Sequence, residues 1–327
     1  MARITVCLFG KLSLQCNGQV LSGFDARKIQ QLLCYLLLHR DHPQPREVLA
    51  GLLWGDTSTD QSKKHLRQTL WQLQSALDRG HQLSLGTLLT VDSDWVDLHS
   101  GGDLWLDVAV FEETFTPIQD IQGRELNPAS AEQLEHAVQL YHGDLLEGWY
   151  EDWCLFERER LQNMYLAMLD KLMGYCEAHK QYETGIVHGT RILFFDRARE
   201  HTHRHLMRLQ YLAGNRTAAL RQFERCSFAL NEELGVKPAK VTLALYEQIR
   251  DDHVDDSTGV SRNSPHIPEP TAVAVPELIG RLSQVSKLLA EVQSAAQHGV
   301  QAIELLMKDS HYSNMTSTKS DAEIDIS

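Results

Sequence analysis

Hydrophobic residues recur at helical spacing through the first hundred residues of the chain, most regularly between residues 60 and 78. There Leu66, Leu70, Leu73 and Leu77 fall at i, i+4, i+7 and i+11, so they share one face of a helix. We expect this leucine face to be buried. The polar residues of the same stretch then project from its flank and from the opposite side.

Two shorter helices are predicted before this stretch. Asp25 is a suitable N-cap for the first, and Pro45 suits the first turn of the second. The apolar residues that follow have the spacing of helices with one buried face: Ile29, Leu32, Leu33, Leu36 and Leu37, then Val48, Leu49, Leu52 and Leu53.

Short strands are predicted on both sides of these helices. The segments RITVCLFG and LSLQC are rich in β-branched and aromatic residues, and Asn17-Gly18 is a turn signal that follows them. Beyond the third helix, residues 88–91 and 95–98 flank a polar triplet, a pattern typical of a hairpin. The predicted order is a small sheet, three helices and a hairpin.

This order resembles a winged helix of the OmpR type, and residues 1–100 are similar to the DNA-binding domain of AfsR/SARP-type transcriptional regulators. The third helix of that family typically carries spaced Leu-Arg pairs, as Leu66-Arg67 does here. The resemblance implies that the third helix enters the major groove of DNA and that the hairpin contacts the backbone.

The resemblance assigns five residues of the third helix to the side that faces DNA. Lys63 and Lys64 are suited to neutralising phosphates, whereas Arg67 and Gln68 have the bidentate geometry that reads guanine and adenine edges. Trp71 either packs on a sugar or a thymine methyl, or braces the helix against the hairpin. An ordinary amphipathic helix with a solvated charged face is the alternative interpretation.

Two further cations and the hairpin tip bear on the same interface. Arg27 and Lys28, at the start of the first helix, are candidates for phosphate contact, with a solvated role as the alternative. The tip Asp92-Ser93-Asp94 is acidic, whereas a wing that inserts into a minor groove is normally basic. We therefore expect this tip not to contact DNA closely.

The distribution of charge favours a division of labour along the chain. The net charge is −13, but residues 1–99 hold ten Lys and Arg against nine Asp and Glu, while the remainder holds 21 against 35. A near-neutral N-terminal domain with clustered cations can bind a phosphate backbone while an acidic C-terminal domain stays away from it.

After residue 103 the pattern is one of long helices. They are predicted at 130–141, 152–178, 182–193, 199–213, 217–233 and 239–250. Leu172-Met173 recurs as Leu206-Met207, and Gly185-Ile186 as Ala219-Leu220, at a period of 34 residues that is typical of a tetratricopeptide unit. The predicted fold is mainly α: a winged helix-turn-helix (α+β) at 1–100, then a tetratricopeptide-like all-α domain at 101–252.

Four segments of this second domain resemble the bacterial transcriptional activator domain, in the same order. They are YHGDLL at 141–146, FERERL at 156–161, ALRQFE at 219–224 and EELGVKP at 232–238. The resemblance implies a regulator, an activator by its domain, that binds double-stranded promoter DNA. It also implies that the helical domain contacts RNA polymerase or a second copy of the chain.

The last quarter of the chain has a different composition. Residues 253–276 are rich in proline and acidic residues and are predicted to be a flexible linker, followed by an isolated helix at 277–307 and a disordered tail at 308–327. The segment LIGR at 278–281 resembles the lead-in to the ATPase module of larger members of the family. A coiled-coil-like helix is the alternative, because no GxxxxGK[ST] phosphate loop follows in the sequence.

No pattern in the sequence predicts catalysis, a cofactor or a metal. The run of His201, His203 and His205 has no carboxylate or cysteine at ligand spacing in the sequence, and the six cysteines lack a CxxC pair. We expect the cysteines to be buried thiols. The start MARITVCLFGK lacks the features of a signal peptide, and no apolar stretch is long enough to span a membrane, so we expect a cytoplasmic protein.

Two other functions fit the same residues. The first is a protein-interaction scaffold whose winged helix no longer binds DNA, which the net acidity and the acidic hairpin tip favour. The second is a nucleotide-regulated switch whose ATPase partner is another polypeptide.

Overall fold

A small mixed sheet and a three-helix core form the N-terminal part of the protein. A computed structural model of the chain describes residues 4–79, 88–99 and 104–253. The first elements in chain order are β1 (Ile4–Cys7), β2 (Ser13–Cys16), β3 (Gln19–Val20), α1 (Arg27–Leu38), β4 (Gln44–Pro45), α2 (Arg46–Trp54), α3 (Thr59–Arg79), β5 (Leu89–Val91) and β6 (Trp95–Leu98).

The strands form two sheets. One has the order β3-β2-β1 followed by β7 (Leu104–Leu106), which pairs parallel to β1, and the other has the order β4-β6-β5. Asn17 and Gly18 both have positive φ, at 50° and 80°, and form the turn between β2 and β3 that the sequence predicts. The predicted hairpin is also confirmed, because β5 and β6 pair antiparallel with Val91 opposite Val96.

The predicted start of the first helix is wrong in one respect. Ala26, not Asp25, occupies the N-cap of α1, and no side chain caps it. The helix begins one residue later than Asp25 would require. Phe24, three residues before α1, is buried, and its carbonyl accepts a hydrogen bond of 2.8 Å from Gln30 Nε2.

The helical part begins directly after β7, and most of its buried hydrophobic residues belong to the same hydrophobic core as those of the N-terminal part. Its elements are α4 (Asp107–Phe115), two short 3-10 helices (Thr116–Ile118 and Gly123–Glu125), α5 (Pro128–Leu140), α6 (Asp152–Ala178), α7 (Tyr182–Phe195), α8 (Glu200–Leu212), α9 (Arg216–Leu234) and α10 (Lys240–Arg250). The six long helices predicted after residue 103 are confirmed, with ends within two residues of those observed. The fold is mainly α, with an α+β region before a helical-repeat region.

Small residues mark the closest helix contacts in this repeat. A Cβ at Gly185 of α7 would lie 3.0 Å from a methyl carbon of Leu209 in α8, and one at Gly189 would lie 2.6 Å from Leu206. Ala219 of α9 is fully buried. The lack of a side chain at Gly185 and Gly189 therefore permits the close approach of α7 and α8.

Residues on both sides of position 100 join in one hydrophobic core. Asp107 is the main polar link: its carboxylate accepts hydrogen bonds from the backbone N–H of Leu8 (2.8 Å), Phe9 (2.9 Å) and Val108 (2.8 Å). Leu146 N–H also donates to Leu8 O at 2.8 Å. The functional division at residue 100 stays a prediction, whereas β7 and α4 were not predicted from the sequence.

Several predictions lie outside the described residues. The linker, isolated helix and tail predicted after His253 belong to this group. Within the residues that the structure describes, no helix is both long and apolar enough to cross a membrane.

Candidate nucleic-acid interface

The long helix α3 is fixed through its leucine face. Leu66, Leu70 and Leu73 are almost fully buried, and Leu77 is buried at the far end. Together with leucines of α1 and α2 they form the centre of the three-helix core. Burial of four leucines at i, i+4, i+7 and i+11 fixes the rotation of α3 about its axis, so its opposite face has a defined direction.

The side chains that the sequence assigns to DNA contact lie on that opposite face and, for Lys63, on the flank between it and the leucines. Lys63, Lys64, Arg67 and Gln68 are exposed, and Trp71 is 66% exposed. At roughly 100° per residue they occupy an arc of about 140° on the helix surface. The structure therefore brings these five residues together as one exposed surface, which we call the α3 face.

Contacts within the protein pre-orient part of the α3 face. Lys63 Nζ forms an exposed ion pair with Glu47 Oε1 of α2 at 2.7 Å, and this hydrogen bond raises the pKa of Lys63. Arg67 Nε donates to Lys63 O at 3.4 Å. Exposed ion pairs are weak, so Lys63 can leave Glu47 at small cost.

Arg27 and Lys28 are engaged in contacts inside the protein. The Arg27 guanidinium lies 3.6 Å from the centre of the Trp149 ring and 3.3 Å from Glu151 Oε1. Lys28 Nζ donates to Leu53 O at 2.5 Å and lies 5.6 Å from the Trp54 ring. These contacts give both cations structural roles, and their contact with phosphate stays a prediction.

The hairpin β5–β6 is tied to the start of α2 by Arg46. Its backbone N–H donates to Asp94 O at 2.8 Å, and its Nη1 donates to Asp92 O at the same distance. This places a guanidinium beside the acidic tip. Sequence reasoning missed Arg46 because nothing in the local pattern connects it to a turn 46 residues later.

One comparison with known families concerns the helical region. Residues 106–250 match the family model described as "Bacterial transcriptional activator domain". Those residues form a bacterial transcriptional activator domain. With the winged helix in front of it, the chain has the architecture of an AfsR/SARP-type regulator, which confirms the resemblance noted in the sequence. The matching family is one of transcriptional regulators and not a class of enzymes.

A solved structure supports the fold over most of the chain. Mycobacterium tuberculosis EmbR, in complex with a low-affinity phosphopeptide, is similar with a TM-score of 0.62 at 18% sequence identity. The match covers 78% of this chain and 67% of EmbR. At this level of identity the similarity establishes the fold. No curated protein matches the chain in sequence.

The segments that identify the activator domain have structural roles. Arg158 donates from its guanidinium to three carbonyls of the preceding loop, Leu145, Leu146 and Trp149, at 2.9–3.1 Å. Gly235, in the left-handed region with φ of 66°, ends α9. These residues shape the activator domain from within.

The histidine run of the activator domain is divided among separate contacts. His203 is buried between Arg197 O and Gln222 Nε2, at 2.8 Å from each, and burial lowers its pKa. His201 lies 3.5 Å from Asp170, and His205 lies 2.8 Å from Glu177. Among the described residues, no group of three or more side chains is arranged to hold a metal ion.

Proposed function

We propose that the protein is a sequence-specific DNA-binding transcriptional regulator that binds double-stranded promoter DNA through the α3 face. The observation that carries the proposal is the clustering of Lys63, Lys64, Arg67 and Gln68 on the exposed side of a helix whose other side is buried in a winged-helix core. A helix of this width fits the major groove of B-DNA. A promoter-binding role requires residence in the cytoplasm.

Each residue of the α3 face has its own role in this proposal. Lys63 and Lys64 bind phosphates and supply affinity that does not depend on sequence. Arg67 reads guanine and Gln68 reads adenine, each through two hydrogen bonds. The large exposed area of Trp71 supports packing on a sugar or a thymine methyl rather than on the hairpin.

Selection from a random DNA library with the purified full chain tests this function. We expect an enriched motif that wild type binds and that Arg67→Ala binds less selectively. Arg221→Ala, which removes an exposed arginine from α9, is the matched control and should leave the motif unchanged. No enrichment from folded, monodisperse protein would contradict the proposal and favour the scaffold function, which the net charge of −13 supports.

We also propose that the protein is an activator and that its activator domain contacts RNA polymerase or a second copy of the chain. The family description and the exposed apolar side chains of α7 and α9 support this, among them Val187, Phe194 and Phe228. Sedimentation of the full chain at micromolar concentration, with and without DNA, tests whether the second copy is the partner. Monomer in both conditions would exclude the homodimer.

A further inference from the structure

A cleft in the activator domain has the properties of a small-molecule site. It lies where the end of α5 meets α6 and α7, and its volume is about 380 Å³. Pockets that hold drug-sized ligands measure about 300–1,000 Å³, so the cleft is at the small end of that range. It is separate from the α3 face, and none of the DNA-binding residues proposed above lines it.

Aromatic rings form the walls of this cleft. Tyr141 and Tyr165 are stacked, with ring centres 4.3 Å apart, and Phe195 meets both rings edge-on at 6.1 and 5.7 Å. Phe194 packs edge-on against Phe195 and is 84% exposed at the mouth. A planar ring that entered the cleft would contact these aromatic side chains, with which it can form stacked or edge-on pairs.

The charge of the cleft selects an anion. Arg191 and His142 line it, and none of the described residues that line it is Asp or Glu. Arg191 also hydrogen-bonds to Tyr165, whose pKa is raised by burial and lowered in part by this guanidinium. Glu135 attracts Arg191 from outside the cleft but is already hydrogen-bonded to His188 at 2.8 Å. Outside the lining, Asp144 accepts a hydrogen bond of 3.3 Å from the Tyr141 hydroxyl.

We propose that this cleft binds a small planar molecule that carries one carboxylate or a similar anionic group. The aromatic walls bind the ring, and Arg191 binds the anion. The back of the cleft is Tyr141, whose ring lies 4.9 Å from that of Phe9, the residue that hydrogen-bonds to Asp107. The ligand therefore lies against the junction between the N-terminal sheet and the activator domain. The site does not depend on the proposed DNA binding.

Titration of the full chain with 2-naphthoate, followed by calorimetry or ligand-observed NMR, tests the site. We expect saturable binding to wild type and about tenfold weaker binding of 2-naphthamide, because the neutral amide cannot form an ion pair with Arg191. Arg191→Gln should weaken 2-naphthoate binding by about tenfold and leave 2-naphthamide binding unchanged. Phe194→Ala should weaken both ligands by about fivefold.

Both variants replace exposed side chains, and each has a matched control on α9. Arg221→Gln removes an equivalent charge, and Phe228→Ala removes an aromatic ring that is 63% exposed. Neither should change the titration. The proposal is overturned if wild type shows no saturable binding of 2-naphthoate up to about 10 mM, or if Arg191→Gln and Phe194→Ala bind it as wild type does.

Discussion

Arg67 and Lys64 lie on the same face of α3 but offer DNA different chemistry. Arg67 presents a planar fork of donors that matches two acceptors on one guanine, whereas Lys64 presents a point charge that any phosphate can satisfy. We expect Arg67→Ala to lose about 1–3 kcal/mol of binding free energy on the selected motif and to relax base preference at one position. Quantitative binding to the motif and to its single-base variants measures both effects. If Arg67→Ala and wild type bound the motif with equal affinity, the α3 face would not be the surface that contacts the bases.

Glu177 gives the activator domain a defined response to acid. Burial alone would raise its pKa, but hydrogen bonds from His205 and Arg208 outweigh burial and lower it from 4.5 to about 2. A carboxylate whose folded-state pKa is depressed stabilises the protein above its unfolded pKa and loses that contribution as pH falls through the folded pKa. The contribution, on the order of 3 kcal/mol, should therefore be complete above about pH 5 and be lost progressively towards pH 2.

Urea unfolding of Glu177→Gln and wild type as a function of pH tests this prediction. The difference in unfolding free energy should be largest near pH 6 and shrink steadily below about pH 4.5. Glu183→Gln, at an exposed position of α7, is the control and should show no such difference. A Glu177→Gln difference that does not change between pH 6 and pH 3 would contradict the assignment.

At the scale of elements, the pairing of β7 with β1 and the position of α4 determine how the two parts of the chain meet. Asp107, at the start of α4, is 2% exposed and accepts from the N–H groups of Leu8 and Phe9. Asp107→Ala leaves both donors buried without this acceptor and should cost about 3 kcal/mol of unfolding free energy. Asp107→Asn keeps one acceptor oxygen and should cost less. Urea midpoints measure both, and an Asp107→Ala midpoint equal to that of wild type would mean that water replaces the carboxylate.

The sequence predicted those elements whose pattern is local. α3 and α6 are long and regularly spaced, so their helical period is visible without knowledge of their partners. β7 has three residues, and its partner β1 lies about a hundred residues earlier, so nothing in its own pattern specifies the pairing. The same reason explains why the sequence predicted the α3 face but not the position of Arg46. The cations of α3 follow from helical spacing, whereas Arg46 reaches the hairpin only through tertiary contact.

At the scale of the whole molecule, the winged helix and the activator domain share one core within the described residues. Arg27 reinforces the junction, since it stacks on Trp149 and pairs with Glu151. We expect the two parts to unfold together in a single transition, because neither can expose the junction without losing core contacts. Urea unfolding of the full chain, followed by tryptophan fluorescence and by far-UV circular dichroism, measures this, because the helices after residue 104 dominate the second signal. Two separate midpoints would contradict a shared core.

The salt dependence of DNA binding is the most direct test of the central claim, that the α3 face binds phosphates and bases. The measurement is the dissociation constant for the selected motif over a range of salt concentrations, for wild type, Lys64→Ala and Arg67→Ala. We expect wild-type affinity to fall steeply with salt and the slope for Lys64→Ala to be smaller by about one, because one phosphate contact is removed. Arg67→Ala should lose discrimination between the motif and unrelated DNA. Slopes, affinities and discrimination that are the same in all three proteins would contradict the claim.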